Sequence, residues 1–399
     1  MSCVPAFGHL NPLLPLAKAL ADAGHAVAIA TGSELRPRAE AAGFTTFSVG
    51  RPLSDAFDEL SRRFPDRIYE RLAPVEIVPW YLPHLFGESI APATLEDLQT
   101  VVRSWRPDLV VHDIAELAAP IAAAHAGIPN VSHTLGLRFE GELLELIGAA
   151  IAPLWRQHVL QADPAAGLYR HLCLDTMPAS WQTDPSPPYA DVIRPLRPVA
   201  PPPIDGERLP TWMATRHRVP LVYMTLGTWT NSNVSIFRSV VDGLADVDVE
   251  VLLTVGPGND PGAIGALPHN AHVEEHVLQS LLLPRCEVVI CHGGAGTTLG
   301  SLALGLPLLV LPQGADQYII SERLISSGAG ICLRPADVNP DSVRLHVLSL
   351  LNDPRYRAAA QRMQREIGAM PGPEQIVPLV EDLAGVGSQL FPVNGAVVR

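Results

Sequence analysis

Glu287-Val288-Val289-Ile290-Cys291-His292-Gly293-Gly294-Ala295-Gly296-Thr297-Thr298-Leu299, with its continuation to Gln317, decides how this chain is read. Val288 to Cys291 is a short apolar run rich in β-branched residues, and it stops at the turn His292 to Gly296, which opens into a helical pattern from Thr297. A buried strand, a glycine-rich turn and a helix therefore follow one another. Unpaired N–H groups and the positive ends of the peptide dipoles gather at such a helix start, so the turn can hold phosphate without lysine or metal. Its glycines let the backbone approach a ligand closely. After Gly305 a second buried run, Leu306 to Leu311, ends in Gln313-Gly314-Ala315-Asp316-Gln317, and in a parallel sheet both loops leave the same edge. Taken alone, the turn can equally be a tight connection that binds nothing. Two other phosphate motifs are excluded: a dinucleotide fingerprint from Gly294 needs Gly or Ala where Leu299 stands, and a P-loop needs lysine at the turn, whereas Lys18 is the only lysine in the chain.

The 399 residues, 47% hydrophobic and 17% charged, suffice for two globular domains of roughly 200 residues each. No apolar run reaches the ~18 to 20 residues of a membrane span, and the N-terminus lacks a signal-peptide pattern, which predicts a cytoplasmic protein. The five cysteines are odd in number and form no C-x-x-C pair, so buried reduced thiols are expected rather than disulfides or a zinc site. A net charge of −13 argues against a nucleic-acid binder, whose footprint is a basic face.

From the N-terminus, Cys3-Val4 reads as the tail of a first strand, His9 to Ala23 as a helix, Val27 to Thr31 as a second strand, Glu34 to Ala42 as a helix and Thr45 to Val49 as a third strand. Residues 51 to 92 break this rhythm with Phe57, Phe64, Tyr69, Trp80, Tyr81 and Phe86 among several prolines, as either a binding loop or a packed insertion. A helix to Trp105, a fourth strand Leu109 to His112 ending at Asp113, a helix to Ala126 and a fifth strand Ile128 to Ser132 follow, then a mainly helical stretch to about Gly167. Prolines crowd between Pro178 and Pro210, Pro185 and Pro195 among them, as in an interdomain linker. The βα rhythm then restarts with Leu221 to Thr225, Val249 to Val255, Ala271 to Val273, Val288 to Cys291 and Leu306 to Leu311, and closes on helices from about 340 to 384. The expected fold class is α/β, two successive Rossmann-like doubly wound parallel-sheet domains: residues 1–195, a Pro-rich linker 196–213, residues 214–384 and a tail 385–399.

In an open sheet ordered 3-2-1-4-5, ligands bind where the loops after strands one and four diverge. In the first domain those loops carry Gly8-His9 and Asp113. An Asp can fix the tautomer of a His and stabilise its imidazolium while the other ring nitrogen takes a proton. The plainer alternative is a His capping its own helix and an Asp satisfying nearby N–H groups. In the second domain the same rule sets Leu226-Gly227-Thr228 beside His292 to Thr297, and two such crevices suggest a bisubstrate enzyme.

Pro5-Ala6-Phe7-Gly8-His9-Leu10-Asn11-Pro12, Leu226-Gly227-Thr228, Gln279 to Pro284, His292 to Thr297 and Asp316-Gln317 together resemble the GT-B glycosyltransferases of the UDP-glycosyltransferase superfamily, above all the actinobacterial macrolide, enediyne and aromatic polyketide enzymes. The resemblance covers both domains and implies two Rossmann-like domains facing each other across a cleft, the first binding the acceptor and the second the donor. It makes His9 the base that deprotonates the acceptor hydroxyl and Asp113 its partner. It places Gly227, Thr228 and His292 at the donor phosphates, with Gly294, Ala295, Gly296 and Thr297 as the backbone nest. It sets Val277 at the nucleobase, and Asp316 and Gln317 at the donor sugar. It implies inverting transfer of a sugar or deoxysugar from a UDP- or dTDP-sugar to a hydroxyl of a small hydrophobic natural product, without metal or other cofactor. Homodimerisation is left open. The chain departs from the family in three places: only four residues precede Pro5, His276 stands where plant members carry a Trp, and residues 385–399 match nothing in it. A nucleotide-sugar epimerase and a non-catalytic auxiliary partner of another glycosyltransferase are the rival readings.

Overall fold

The computed structural model describes residues 1–182, 187–204, 206–214, 219–228 and 233–390. Pro185 and the last nine residues of the expected tail lie outside them. The chain forms two compact units, Met1–Arg197 together with the chain from Pro371 onward, and Pro198–Met370.

The first unit holds β1 (Ala28–Thr31), β2 (Thr45–Ser48), β3 (Val110–Asp113), β4 (Asn130–His133), β5 (Leu172–Asp175) and β6 (Ile193–Pro195). β1 pairs with β2, and β3 to β6 pair in sequence, all parallel. The N-terminal residues join these two ribbons: Ser2 N donates to Val111 O at 2.8 Å, Cys3 N to Ala30 O at 3.1 Å and Asp113 N to Ser2 O at 3.1 Å. The expected strand order, with residues 2–4 at the centre, is therefore present. β5 and β6 escaped the sequence reading. Leu172 to Asp175 is a buried run only four residues long, and Pro195 ends an edge strand, where a missing N–H costs no ladder bond.

Residues 53–105 are a helical layer: Leu53–Arg63, Pro74–Tyr81, a π-helical segment Leu82–Ile90 and Ala91–Trp105. Its aromatic side chains mostly pack on one another, Phe57 and Tyr69 each 5.4 Å from Tyr81 and Phe64 edge-on to Trp80 at 5.5 Å. Phe86 instead lies beside His9, ring centroids 6.1 Å apart.

The second unit is a six-stranded parallel sheet of β7 (Leu221–Thr225), β8 (Glu250–Thr254), β9 (Ala271–Glu274), β10 (Val288–Cys291), β11 (Leu308–Val310) and β12 (Gly330–Cys332), ordered β12-β11-β10-β7-β8-β9. Helices cover both faces, so β7, β8, β10 and β11 are buried throughout and read as unbroken apolar runs rather than alternating ones. All five cysteines are free thiols, and four of them are buried.

One boundary differs from the expected 214–384. The helix Pro373–Leu390 belongs to the first unit, where Ile376, Val377 and Val380 join Leu10, Leu13, Leu14, Leu16, Ala17 and Leu20 of the first helix, Phe7–Asp22, in one cluster. Pro371-Gly372-Pro373 breaks the preceding helix, Pro354–Ala369, and lets the chain cross back.

Candidate active site

In the first unit the catalytic candidates converge at the carboxyl ends of the central strands. His9 stands in the first turn of the helix Phe7–Asp22, and Asp113 is the last residue of β3. His9 Nδ1 and Asp113 Oδ1 are 3.1 Å apart, with the carboxylate fully buried and the imidazole about one-fifth exposed. Asp113 also accepts from Val4 N at 2.8 Å, Ala115 N at 2.7 Å and Glu116 N at 3.1 Å. Both readings of this residue therefore apply together: it satisfies local N–H groups and it holds the histidine. Burial alone would raise its carboxyl, but the charge and hydrogen bond of His9 and the amides of Val4 and Ala115 outweigh it and hold Asp113 below its ordinary range. With Nδ1 bound to a carboxylate, Nε2 is the ring nitrogen left to take a proton.

Glu116, three residues further along the same turn, was not singled out from the sequence. It is 2% exposed, and its Oε1 accepts from Ala118 N at 2.9 Å. A second carboxylate so soon after the end of a buried strand was the signal available.

In the second unit, β7 and β10 pair so that Thr225 lies opposite Cys291, and Cys291 lies opposite Val310 of β11. This register brings Gly227 and Gly294 against His292, and Gly293 against Gln317, whose backbone O a Cβ on Gly293 would approach to 3.2 Å. Gly227 and Gly294 clasp the His292 ring: a Cβ on Gly227 would lie 2.6 Å from its Cε1, and one on Gly294 2.4 Å from its Nε2. Gly227 also has φ +81°, so glycine is required there twice over. Burial lowers His292 to about 4, which keeps the imidazole neutral, and its Nδ1 is buried without a hydrogen-bond partner among the described residues. The helix Ala295–Leu302 starts at this point, and its N-cap, Gly294, has no side chain to cap it. Gly296 is exposed, and a Cβ there would meet nothing within 4 Å. The start of this helix, with no side-chain cap, thus lies beside a neutral imidazole, an arrangement suited to an anion.

The remaining residues are placed less simply. Thr228 is exposed. The Thr297 hydroxyl is held by Gln279 Nε2 at 3.0 Å, which leaves its backbone N–H as its contribution and ties the segment after β9, where Val277 is buried, to the start of this helix. Gln317 Oε1 accepts from Gln313 N at 2.7 Å and Gly314 N at 3.0 Å, so this side chain braces its own turn. Ala315 takes a left-handed conformation, φ +51°, to set Asp316 at the N-cap of the helix Gln317–Ser327. Among the described residues no group of three or more His, Cys, Asp or Glu could hold a metal ion, and no helix is long and apolar enough to cross a membrane.

Two family models match the chain: the erythromycin biosynthesis protein CIII-like N-terminal domain over residues 18–192 and the C-terminal domain over residues 238–383. L-demethylnoviosyl transferase of Streptomyces niveus is 31% identical over 98% of this chain and 99% of its own length. Among solved structures, the glycosyltransferase SnogD from Streptomyces nogalater is 29% identical with a TM-score of 0.76, covering 96% of this chain and 98% of that one. Spinosyn rhamnosyltransferase SpnG complexed with thymidine diphosphate is 28% identical with a TM-score of 0.76, covering 95% and 99%, and the same enzyme is known complexed with spinosyn aglycone. Two parallel-sheet units, a histidine clasped by two glycines at the start of a helix and matches of this extent over nearly the whole chain have one reading: the chain belongs to the erythromycin biosynthesis protein CIII-like family of GT-B glycosyltransferases.

Proposed function

We propose that this glycosyltransferase inverts the anomeric centre of a nucleoside diphosphate sugar by direct attack of an acceptor hydroxyl, with His9 as general base. The observation that carries the proposal is the 3.1 Å contact between His9 Nδ1 and the fully buried Asp113. Asp113 fixes the tautomer with the proton on Nδ1, so Nε2 accepts the hydroxyl proton, and the resulting imidazolium is stabilised by the carboxylate. His292 and the N–H groups of Ala295, Gly296 and Thr297 are the proposed diphosphate contacts, with Gly227, Thr228 and Gly294 completing that pocket. Charge on the leaving diphosphate is met by helix dipole and amides, so no metal is required. Val277 is assigned to the nucleobase, and Asp316 with the amide nitrogen of Gln317 to the sugar hydroxyls.

The thymidine diphosphate complex of SpnG favours a dTDP-sugar over a UDP-sugar, and its aglycone complex favours a small hydrophobic natural product as acceptor. Incubation with dTDP- and UDP-sugars and a panel of polyketide acceptors, read by mass spectrometry and by NMR of the anomeric linkage, tests the proposal. A product with inverted configuration, formed unchanged in EDTA, is expected. Retention of configuration, or activity lost to EDTA and restored by Mg²⁺, would overturn the mechanism.

A further inference from the structure

Two carboxyl groups share the turn that follows β3, and their surroundings differ. Asp113 receives three backbone N–H groups and the His9 ring nitrogen. Glu116 is nearly as deeply buried, but its donors are fewer: its Oε1 accepts from Ala118 N, with weaker help from the amide of Ala119. Its Oε2 is buried with no hydrogen-bond partner among the described residues. Ser2 Oγ, equally without a partner, lies beside it but not in good hydrogen-bonding geometry. Glu116 N donates to the same Asp113 oxygen that holds His9, which fixes the two residues in one turn, and the Asp113 charge acts on the Glu116 carboxyl.

Two adjacent carboxylates in a dry interior cannot both ionise cheaply, and the one with fewer donors keeps its proton. Burial, reinforced by the Asp113 charge and opposed in part by Ser2 and the amides of Ala118 and Ala119, pushes Glu116 up to about 7. The titratable groups facing it are Asp113 from its own turn and the Cys3 thiol from the N-terminal segment, and the helix Ala119–Ala126 offers it only backbone. Cys3 is pushed far up by burial and stays neutral, so Asp113 is the only charge among them.

We propose that Glu116 is a positioning residue for the His9–Asp113 pair: a buried carboxyl with an unpartnered oxygen, in the same turn as Asp113, whose ionisation adds a second negative charge there and strengthens His9 as a base. When Glu116 loses its proton to solvent, the imidazolium that forms on His9 during transfer is stabilised by two carboxylates instead of one. The enzyme then has two states of basicity, set by a group that never touches substrate. This rests on the reading of His9 as the base.

Glu116→Gln imitates the neutral acid at every pH and preserves its shape. In pH profiles of kcat, wild type and Glu116→Gln should coincide on the acid side and separate several-fold above neutrality, where only the wild type continues to rise. A ratio constant at all pH values would show a merely structural residue and overturn the proposal. Infrared difference spectra of the wild type alone should contain the C=O stretch of an unionised buried carboxylic acid that disappears as pH is raised through neutrality. Absence of that band at acid pH overturns the proposal whether or not the variant folds. His9→Ala separates the two readings. If it keeps near wild-type turnover, the base assignment falls and the coupling with it. If it is inactive while the two pH profiles run parallel, only the role of Glu116 falls.

Discussion

One hydrogen bond joins His9 and Asp113, so under the proposed mechanism their replacements should fail in different ways. His9→Ala removes the proposed proton acceptor and should lower kcat by ~10² to 10⁴, while titration calorimetry should find nucleotide binding unchanged, because the proposed phosphate contacts lie in the other unit. Asp113→Asn keeps the packing but gives up tautomer control and imidazolium stabilisation, and should also be slow. Full activity in Asp113→Asn would remove Asp113 from the mechanism even if His9 remained in it. Both residues were legible from the sequence because strand order alone determines which loops meet. Glu116 was not, because its proposed role depends on how many donors reach each carboxyl, which no sequence spacing encodes.

Among the elements, the turn after β10 and the turn after β11 make contrasting demands. Gly294→Ala would push a methyl into the His292 ring, so it should weaken binding of both nucleotide diphosphate and nucleotide sugar by an order of magnitude or more with the fold intact by circular dichroism. Wild-type affinity in Gly294→Ala would mean that the clasp is dispensable. Asp316→Ala should weaken the nucleotide sugar far more than the bare nucleotide diphosphate, whereas Gln317→Ala, which also loosens the turn at Gln313 and Gly314, should weaken both. Calorimetry with the two ligands separates these outcomes, and identical losses in the two variants would contradict this division of labour. The glycine pattern and the apolar run of β10 were enough to place this turn between strand and helix. The sequence did not reveal that two of the glycines seat a histidine, since close approach of a ring to distant backbone has no periodicity to betray it. β5, β6 and β12 were missed for a related reason: runs of three or four residues carry too few positions to separate period two from period 3.6.

For the whole molecule, buried histidines set the acid limit. Burial holds His112, His133 and His292 near 4, against an ordinary value of 6.5. Between those values the unfolded chain binds protons that the folded chain refuses, so their contribution is complete above 6.5 and is lost as pH falls toward 4. It is worth up to roughly 3 kcal/mol per group. Glu116, raised from 4.5 to about 7, works in the opposite sense and loses its contribution as pH rises through that window. Three groups outweigh one, so the urea midpoint should fall from pH 7 to pH 5, and His133→Asn should flatten the slope. A midpoint independent of pH would mean that these rings are not buried neutral. Ending the chain at Met370 should strip Ile376, Val377 and Val380 from the first helix, and each such buried side chain is worth about 1.5–3 kcal/mol. Limited proteolysis should then cut the first unit while sparing 198–370, and equal resistance in the shortened chain would show that the returning helix is ornamental.

That return has a consequence in time. A ribosome releases the N-terminus first, and domains generally fold in that order. Here the opening unit must wait until the helix Pro373–Leu390 has been made, because Ile376, Val377 and Val380 of that helix complete its core. The unit assigned to the sugar donor, Pro198–Met370, has all its residues made before that helix, so a frameshift just after its codons would spare it and damage the unit that was synthesised first.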